Sequence, residues 1–210
     1  VFFSLAYIGL GMFNTVIWAM ITDVIDDAEV RNGIREDGTM IYPDEFIPLF
    51  EKNGFINKLD FYMLEQVCVM LRRRLQEKKV CLPISINQSR VLLNSETYTS
   101  DVAMMLSSYD TPPVLIELEL TERIFSDSLE EMASMMSELK EIGVRWSIDD
   151  FGTGFSSLNL LKKLPVDTIK IDKTFLDETE TSEVSRIIIR KTVELIRELD
   201  KMVVCEGVET

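Results

Sequence analysis

Two carboxylates, Asp149 and Asp150, close a strand-like run and open a glycine-punctuated loop, and Lys170 stands among the apolar residues of the next such run. Residues 146–173 read as a strand over 144–149, a loop over 150–156, a short helix over 157–164 and a second strand over 168–172. A parallel sheet buried on both faces is ordinarily continuous hydrocarbon, so ionic groups in these places point to a site. Every other predicted strand also ends in a group able to bind or ionise: Asn87, then Glu119 and Glu122, then Lys170 and Asp172, then Glu206 and Glu209. Carboxylates converging on one rim repel each other unless cations lie between them. An amide oxygen plus several carboxylates is the hard-oxygen set that suits Mg²⁺ or Mn²⁺. Two such ions can hold a phosphodiester, acidify a bridging water and stabilise the leaving oxygen. Lys170, the lone cation of this rim, could orient that water or neutralise developing charge. The chemistry implied is metal-dependent hydrolysis of a phosphate ester, with the substrate open.

Composition agrees. The formal net charge of -14 argues against adhesion to polymeric nucleic acid, while a small anionic ligand can be held through bound cations. The chain contains no His, which disfavours zinc and the imidazole general base. Cys68, Cys81 and Cys205 are far apart, without Cys-x-x-Cys spacing, and read as buried thiols in a reducing compartment.

The elements that must position these groups alternate. Strands are predicted over 82–87, 114–120, 144–149, 168–172 and 202–206, with helices over 100–108, 129–142, 157–164 and 183–201. This is an α/β chain of repeated βα units, hence a parallel sheet, either doubly wound or closed as a barrel, with its site at the C-terminal strand ends. Upstream, a short helix over 43–51 stops at Asn53 and Gly54. Asn57 is expected to cap a second helix carrying Leu59, Met63, Val67, Met70 and Leu71 at helical spacing. Residues 1–22 form an apolar run that is a candidate membrane span, and 23–41 a polar linker. No basic region precedes the run, which disfavours a cleavable signal peptide.

Two resemblances add to this reading. The run IGLGMFNTVIWAMITDVIDDAEVRNGIREDGT, within residues 1–39, resembles part of the glycoside-pentoside-hexuronide cation symporters, which implies a fusion point within the linker. From residue 42 to 210, FIPLFEKNGFI, SINQS, ELTE, DDFGTGFSSL, LPVDTIKID and EGVET resemble the motifs of the EAL domain, the bacterial cyclic di-GMP phosphodiesterase family. That resemblance implies a modified (β/α)₈ barrel hydrolysing cyclic di-GMP to a linear dinucleotide with two Mg²⁺ or Mn²⁺ ions. It implies Asn87, Glu119, Asp149 and Glu206 as metal ligands, Asp150 as a further ligand, and Lys170 acting on the nucleophilic water. Glu122, Asp172 and Glu209 would be supporting residues. The loop of Phe151, Gly152, Thr153, Gly154, Phe155 and Ser156 would couple the site to a homodimer interface; Phe155 stands where the family more often has Tyr.

The match has gaps. No Glu-Ala-Leu tripeptide is present, and Glu29 is the carboxylate nearest to its expected place upstream of Pro43. The chain stops at Thr210, just after the fifth predicted strand, so the resemblance implies further strands that are missing. The expectation is therefore an incomplete barrel with weak or no turnover, in a cytoplasmic domain tethered to the inner membrane by residues 1–22. A catalytically silent cyclic di-GMP receptor is the alternative; a transporter fragment would need more membrane spans than the chain has.

Overall fold

The computed structural model describes residues 43–89, 91, 95–122, 129–152, 157–172 and 182–205. The chain falls into two compact units, residues 1–64 and 65–210. The expected span over 1–22, the linker and Glu29 lie outside the described residues; among those described, no helix is long and apolar enough to cross a membrane.

In the first unit, α1 (Pro43–Asn53) places Phe46 and Phe50 one turn apart. With Phe55 they form a buried aromatic cluster, ring centroids 5.4 and 4.9 Å apart. Gly54 takes the left-handed conformation at φ 76° that ends the helix. Asn53 Oδ1 then accepts from the Phe55 N–H at 2.9 Å, and Phe55 O receives the N–H groups of Lys58 and Leu59. The second helix, α2 (Ile56–Gln76), therefore starts before Asn57 and not at it. The expected cap is wrong because Asn53 has already made the turn; the Asn57 Oδ1 is buried with no hydrogen-bond partner among the described residues.

The second unit is built on five strands: β1 (Ile84–Asn87), β2 (Ile116–Thr121), β3 (Arg145–Phe151), β4 (Thr168–Ile171) and β5 (Met202–Cys205). All neighbours are parallel and the order is β1-β2-β3-β4-β5. A doubly wound sheet reverses its order at a switch point. Here the strands advance in one direction, as in barrel winding.

Helices α3 (Tyr98–Ser108), α4 (Leu129–Glu141), α5 (Ser157–Lys163) and α6 (Glu183–Glu198) fall between strands. Chain punctuation sets their limits. Pro83 lacks an N–H, and β1 begins after it. Pro112 and Pro113 turn the chain through a 3₁₀ segment before β2 starts at Ile116. Gly143, at φ 103°, ends α4, with Val144 N–H reaching back to Leu139 O at 3.1 Å.

Alternation along the strands separates two faces. Ile86, Ile116, Leu118, Leu120, Trp146, Ile148, Ile169 and Ile171 are buried, and Trp146 Nε1 donates to Met136 O of α4 at 3.1 Å, so this is the helix-covered face. The residues between them are polar: Ser85, Asn87, Glu117, Glu119, Ser147, Asp149, Thr168 and Lys170. The polar face is concave, as shown by contacts that skip a strand. In a flat sheet β2 and β4 would be about 9.6 Å apart, yet Thr168 Oγ1 donates to Glu117 Oε2 at 3.1 Å and Lys170 Nζ to Glu119 Oε1 at 2.6 Å.

At the opposite strand ends, Asp167 joins three strands. Its Oδ2 accepts from Trp146 N–H at 3.1 Å, its N–H donates to Trp146 O, and its carbonyl receives the Met202 N–H. Lys140 of α4 pairs with its Oδ1 at 2.6 Å.

The cysteine expectation holds only for Cys68, which is buried; Cys81 is half-buried and Cys205 exposed. Cys81 lies in the approach to β1. Cys205 ends β5, which pairs with β4 alone among the described strands.

Candidate active site

The site is assembled by register. In the parallel ladders Asn87 is opposite Glu119, Glu119 opposite Ser147, and Thr121 opposite Asp149. Three strands therefore bring Asn87, Glu119 and Asp149 toward the C-terminal edge of the concave face, and β4 adds Lys170. Asn87 is exposed, Asp149 and Lys170 half-buried, and Glu119 only 3% exposed.

Glu119 is the electrostatic centre. Burial pushes its carboxyl up to about 7; Lys170 opposes that rise, while the Asp149 carboxyl, within hydrogen-bonding reach, adds to it. One lysine thus faces two acidic side chains that crowd each other. Excess negative charge in a hard-oxygen setting is what a divalent cation relieves, so Glu119, Asp149 and Asn87 suit such an ion by chemistry; among the described residues no three His, Cys, Asp or Glu side chains gather closely enough to hold one by themselves.

The sign of the resulting pH dependence follows. The folded carboxyl holds a proton that the unfolded one, near 4.5, has already released. Metal-free protein is therefore expected to lose stability as pH rises from about 4.5 through about 7. The loss should be on the order of 3 kcal/mol and then level off. Urea midpoints across that window should fall in the wild type and fall less in Glu119→Gln; parallel curves would show that Glu119 is not the group responsible.

The end of β3 is more elaborate than the expected strand stop at Asp149. The strand continues to Phe151 through a register irregularity between Ile148 and Phe151. Asp150 sits at φ 55°, a left-handed conformation that Asp tolerates, and its N–H donates to Asp149 Oδ1 at 2.9 Å. The buried Glu122 accepts from Gly152 N–H through Oε2 at 2.9 Å and ties the end of β2 to the end of β3. Phe151 is buried in the strand and Asp172 is half-buried just beyond β4. Glu206, Glu209 and Thr153, Gly154, Phe155 and Ser156 lie outside the described residues.

Reading only strand ends missed a layer beneath. Ser85, Glu117 and Thr168 each lie two residues before Asn87, Glu119 and Lys170, and so share their face. Glu117 is buried and accepts from Ser85 Oγ at 3.0 Å and from Thr168 Oγ1. A period-two count back from each strand end would have found this second tier.

Known proteins are similar to this chain in sequence and in fold. The chain is 33% identical over 171 residues to the cyclic di-GMP phosphodiesterase NbdA of Pseudomonas aeruginosa, covering 81% of this chain and 22% of that protein. It is 38% identical over 180 residues to the probable cyclic di-GMP phosphodiesterase PdeB of Escherichia coli, covering 84% of this chain and 33% of that protein. The chain thus spans only about a fifth to a third of these relatives' length. A solved structure of the PaMucR phosphodiesterase in complex with c-di-GMP superposes with a TM-score of 0.75 at 32% identity, covering 84% of this chain and 71% of that one. The family model for the EAL domain matches residues 13–210, and so reaches into the stretch expected from the sequence to be symporter-like, a likeness that none of these comparisons shows. With parallel strands in sequential order presenting Asn87, Glu119, Asp149 and Lys170 on one concave face, and with that match over nearly its whole length, the chain belongs to the EAL domain family.

Proposed function

We propose that this chain is the cyclic di-GMP-hydrolysing domain of a signalling protein, acting on one phosphodiester to give the linear dinucleotide pGpG. The observation that carries the reading is the Lys170–Glu119 pair at 2.6 Å, with Asp149 beside it and Asn87 in register, on a concave face. Asn87, Glu119, Asp149, Asp150 and Glu206 would hold two Mg²⁺ or Mn²⁺ ions. When bound, such ions supply Lewis acidity and an activated water. The chain's own residues do the rest. Lys170 offsets carboxylate charge while its ammonium lies within reach of an attacking water. Glu122 holds Gly152 so that the β3 end, with Asp149 and Asp150, keeps its geometry; Asp172 and Glu209 support the same rim. To this reading belong a homodimer contact through the loop from Asp150 to Ser156 and a membrane tether through residues 1–22, whose symporter likeness marks a fused segment.

The test is incubation of the purified chain with cyclic di-GMP and Mn²⁺, with chromatography of the products and calorimetry alongside. Slow, Mn²⁺-dependent formation of pGpG is expected, impaired because the sequence has no Glu-Ala-Leu tripeptide. That same gap favours a second reading, a receptor that binds without turnover. Tight binding with no product would establish the receptor; neither binding nor product would refute both.

A further inference from the structure

The turn after β1 contains a buried amide that the site as described does not use. Gln88 directly follows Asn87 and is 6% exposed. Its backbone N–H and both polar atoms of its side chain are engaged. The backbone N–H donates to Glu119 O at 2.9 Å, Nε2 donates to Asn87 O at 2.8 Å, and Oε1 accepts from Tyr98 OH at 2.8 Å. Tyr98 is wholly buried at the start of α3. Leucine and phenylalanine would fill the same volume without the desolvation cost of burying an amide and a phenol. The polar pair therefore calls for a reason beyond packing.

The reason lies in the weakness of β1. It is four residues long and, among the described strands, pairs only with β2. Asn87 is its last residue and is exposed, the place where a strand frays. We propose that the Gln88–Tyr98 pair positions Asn87. The amide grips the Asn87 carbonyl, the Gln88 N–H fixes the same peptide to the Glu119 peptide, and the Tyr98 hydroxyl anchors the amide to a helix. The Asn87 side chain is thereby held at a set angle beside Glu119. This rests on the reading of Asn87 as a metal ligand, and Gln88 and Tyr98 act through it.

Titration calorimetry of the full chain with Mn²⁺, paired with thermal unfolding, tests the proposal in three variants: Asn87→Ala, Tyr98→Phe and Gln88→Leu/Tyr98→Phe. Tyr98→Phe leaves Gln88 Oε1 buried without its donor. It is expected to lower Tm by about 5 °C and to weaken Mn²⁺ binding about tenfold. The double variant replaces both partners with apolar groups, so Tm is expected to recover. Mn²⁺ affinity should stay about tenfold weaker, because no side chain then grips the Asn87 carbonyl and the peptide keeps only its backbone bond to Glu119. Recovery of both quantities together would reduce the pair to packing and overturn the proposal. Equal Mn²⁺ behaviour of wild type and Asn87→Ala, including no binding by either, would remove Asn87 as a ligand and the proposal with it. Weakening in Asn87→Ala alone would spare that reading and sink only the positioning role.

Discussion

Replacing Lys170 by methionine is expected to lower pGpG formation by roughly 10²–10³-fold at saturating Mn²⁺, the usual scale for removing one preorganised charge from a reacting centre. Methionine keeps the length and apolar stem, so the loss isolates the ammonium. Breaking a buried ion pair commonly costs about 3–5 kcal/mol, because the surviving charge is stranded. Glu119 has an escape, since its carboxyl already titrates at about 7 and can take up a proton. The stability cost should therefore be only about 1–2 kcal/mol near neutrality and should grow as the solution becomes alkaline. Turnover assays and urea midpoints on the same preparation separate the two effects. A Lys170→Met variant retaining more than half of wild-type turnover would remove Lys170 from the reaction.

The second large effect is on folding. Trp146 is fully buried in β3, the central strand, and donates Nε1 to Met136 O. Trp146→Ala is expected to cost about 3–5 kcal/mol through the cavity it leaves. It also leaves the Met136 carbonyl short of a donor, for about 1 kcal/mol more. Domains of this kind have about 5–15 kcal/mol in total, so the variant should be largely unfolded or unfold at much lower urea. Trp146→Phe, which keeps the aromatic contact and loses the donor, should fall between. Circular dichroism through a urea titration is the measurement; an unchanged midpoint for Trp146→Ala would mean that β3 is not packed as described.

Much of this was legible in the sequence because parallel strands broadcast their ends. Apolar runs bounded by Pro, Gly and Asp located all five strands to within a few residues, and the polar residue closing each run located Asn87, Glu119, Asp149 and Lys170. What stayed hidden depended on contacts between distant residues. The continuation of β3 through Asp150 to Phe151 requires Glu122 to bind the Gly152 N–H, thirty positions away, and no local pattern announces that. The start of α2 was misplaced because Asn53 and Asn57 are equally good caps in isolation, and only the turn at Gly54 chooses between them. Glu117 went unread because its partner Thr168 comes from a strand two places away, brought across β3 by curvature.

The sequential strand order has a consequence for synthesis. Because each strand pairs with the one made just before it, a chain leaving the ribosome never waits for a later segment to complete an earlier pairing. The sheet can grow by accretion from β1, with short-range contacts and low topological cost at each step. Every intermediate nonetheless presents an unsatisfied leading edge to its surroundings, where chaperone capture or wrong partners compete with the next βα unit. The rate of translation past each helix therefore becomes a determinant of yield.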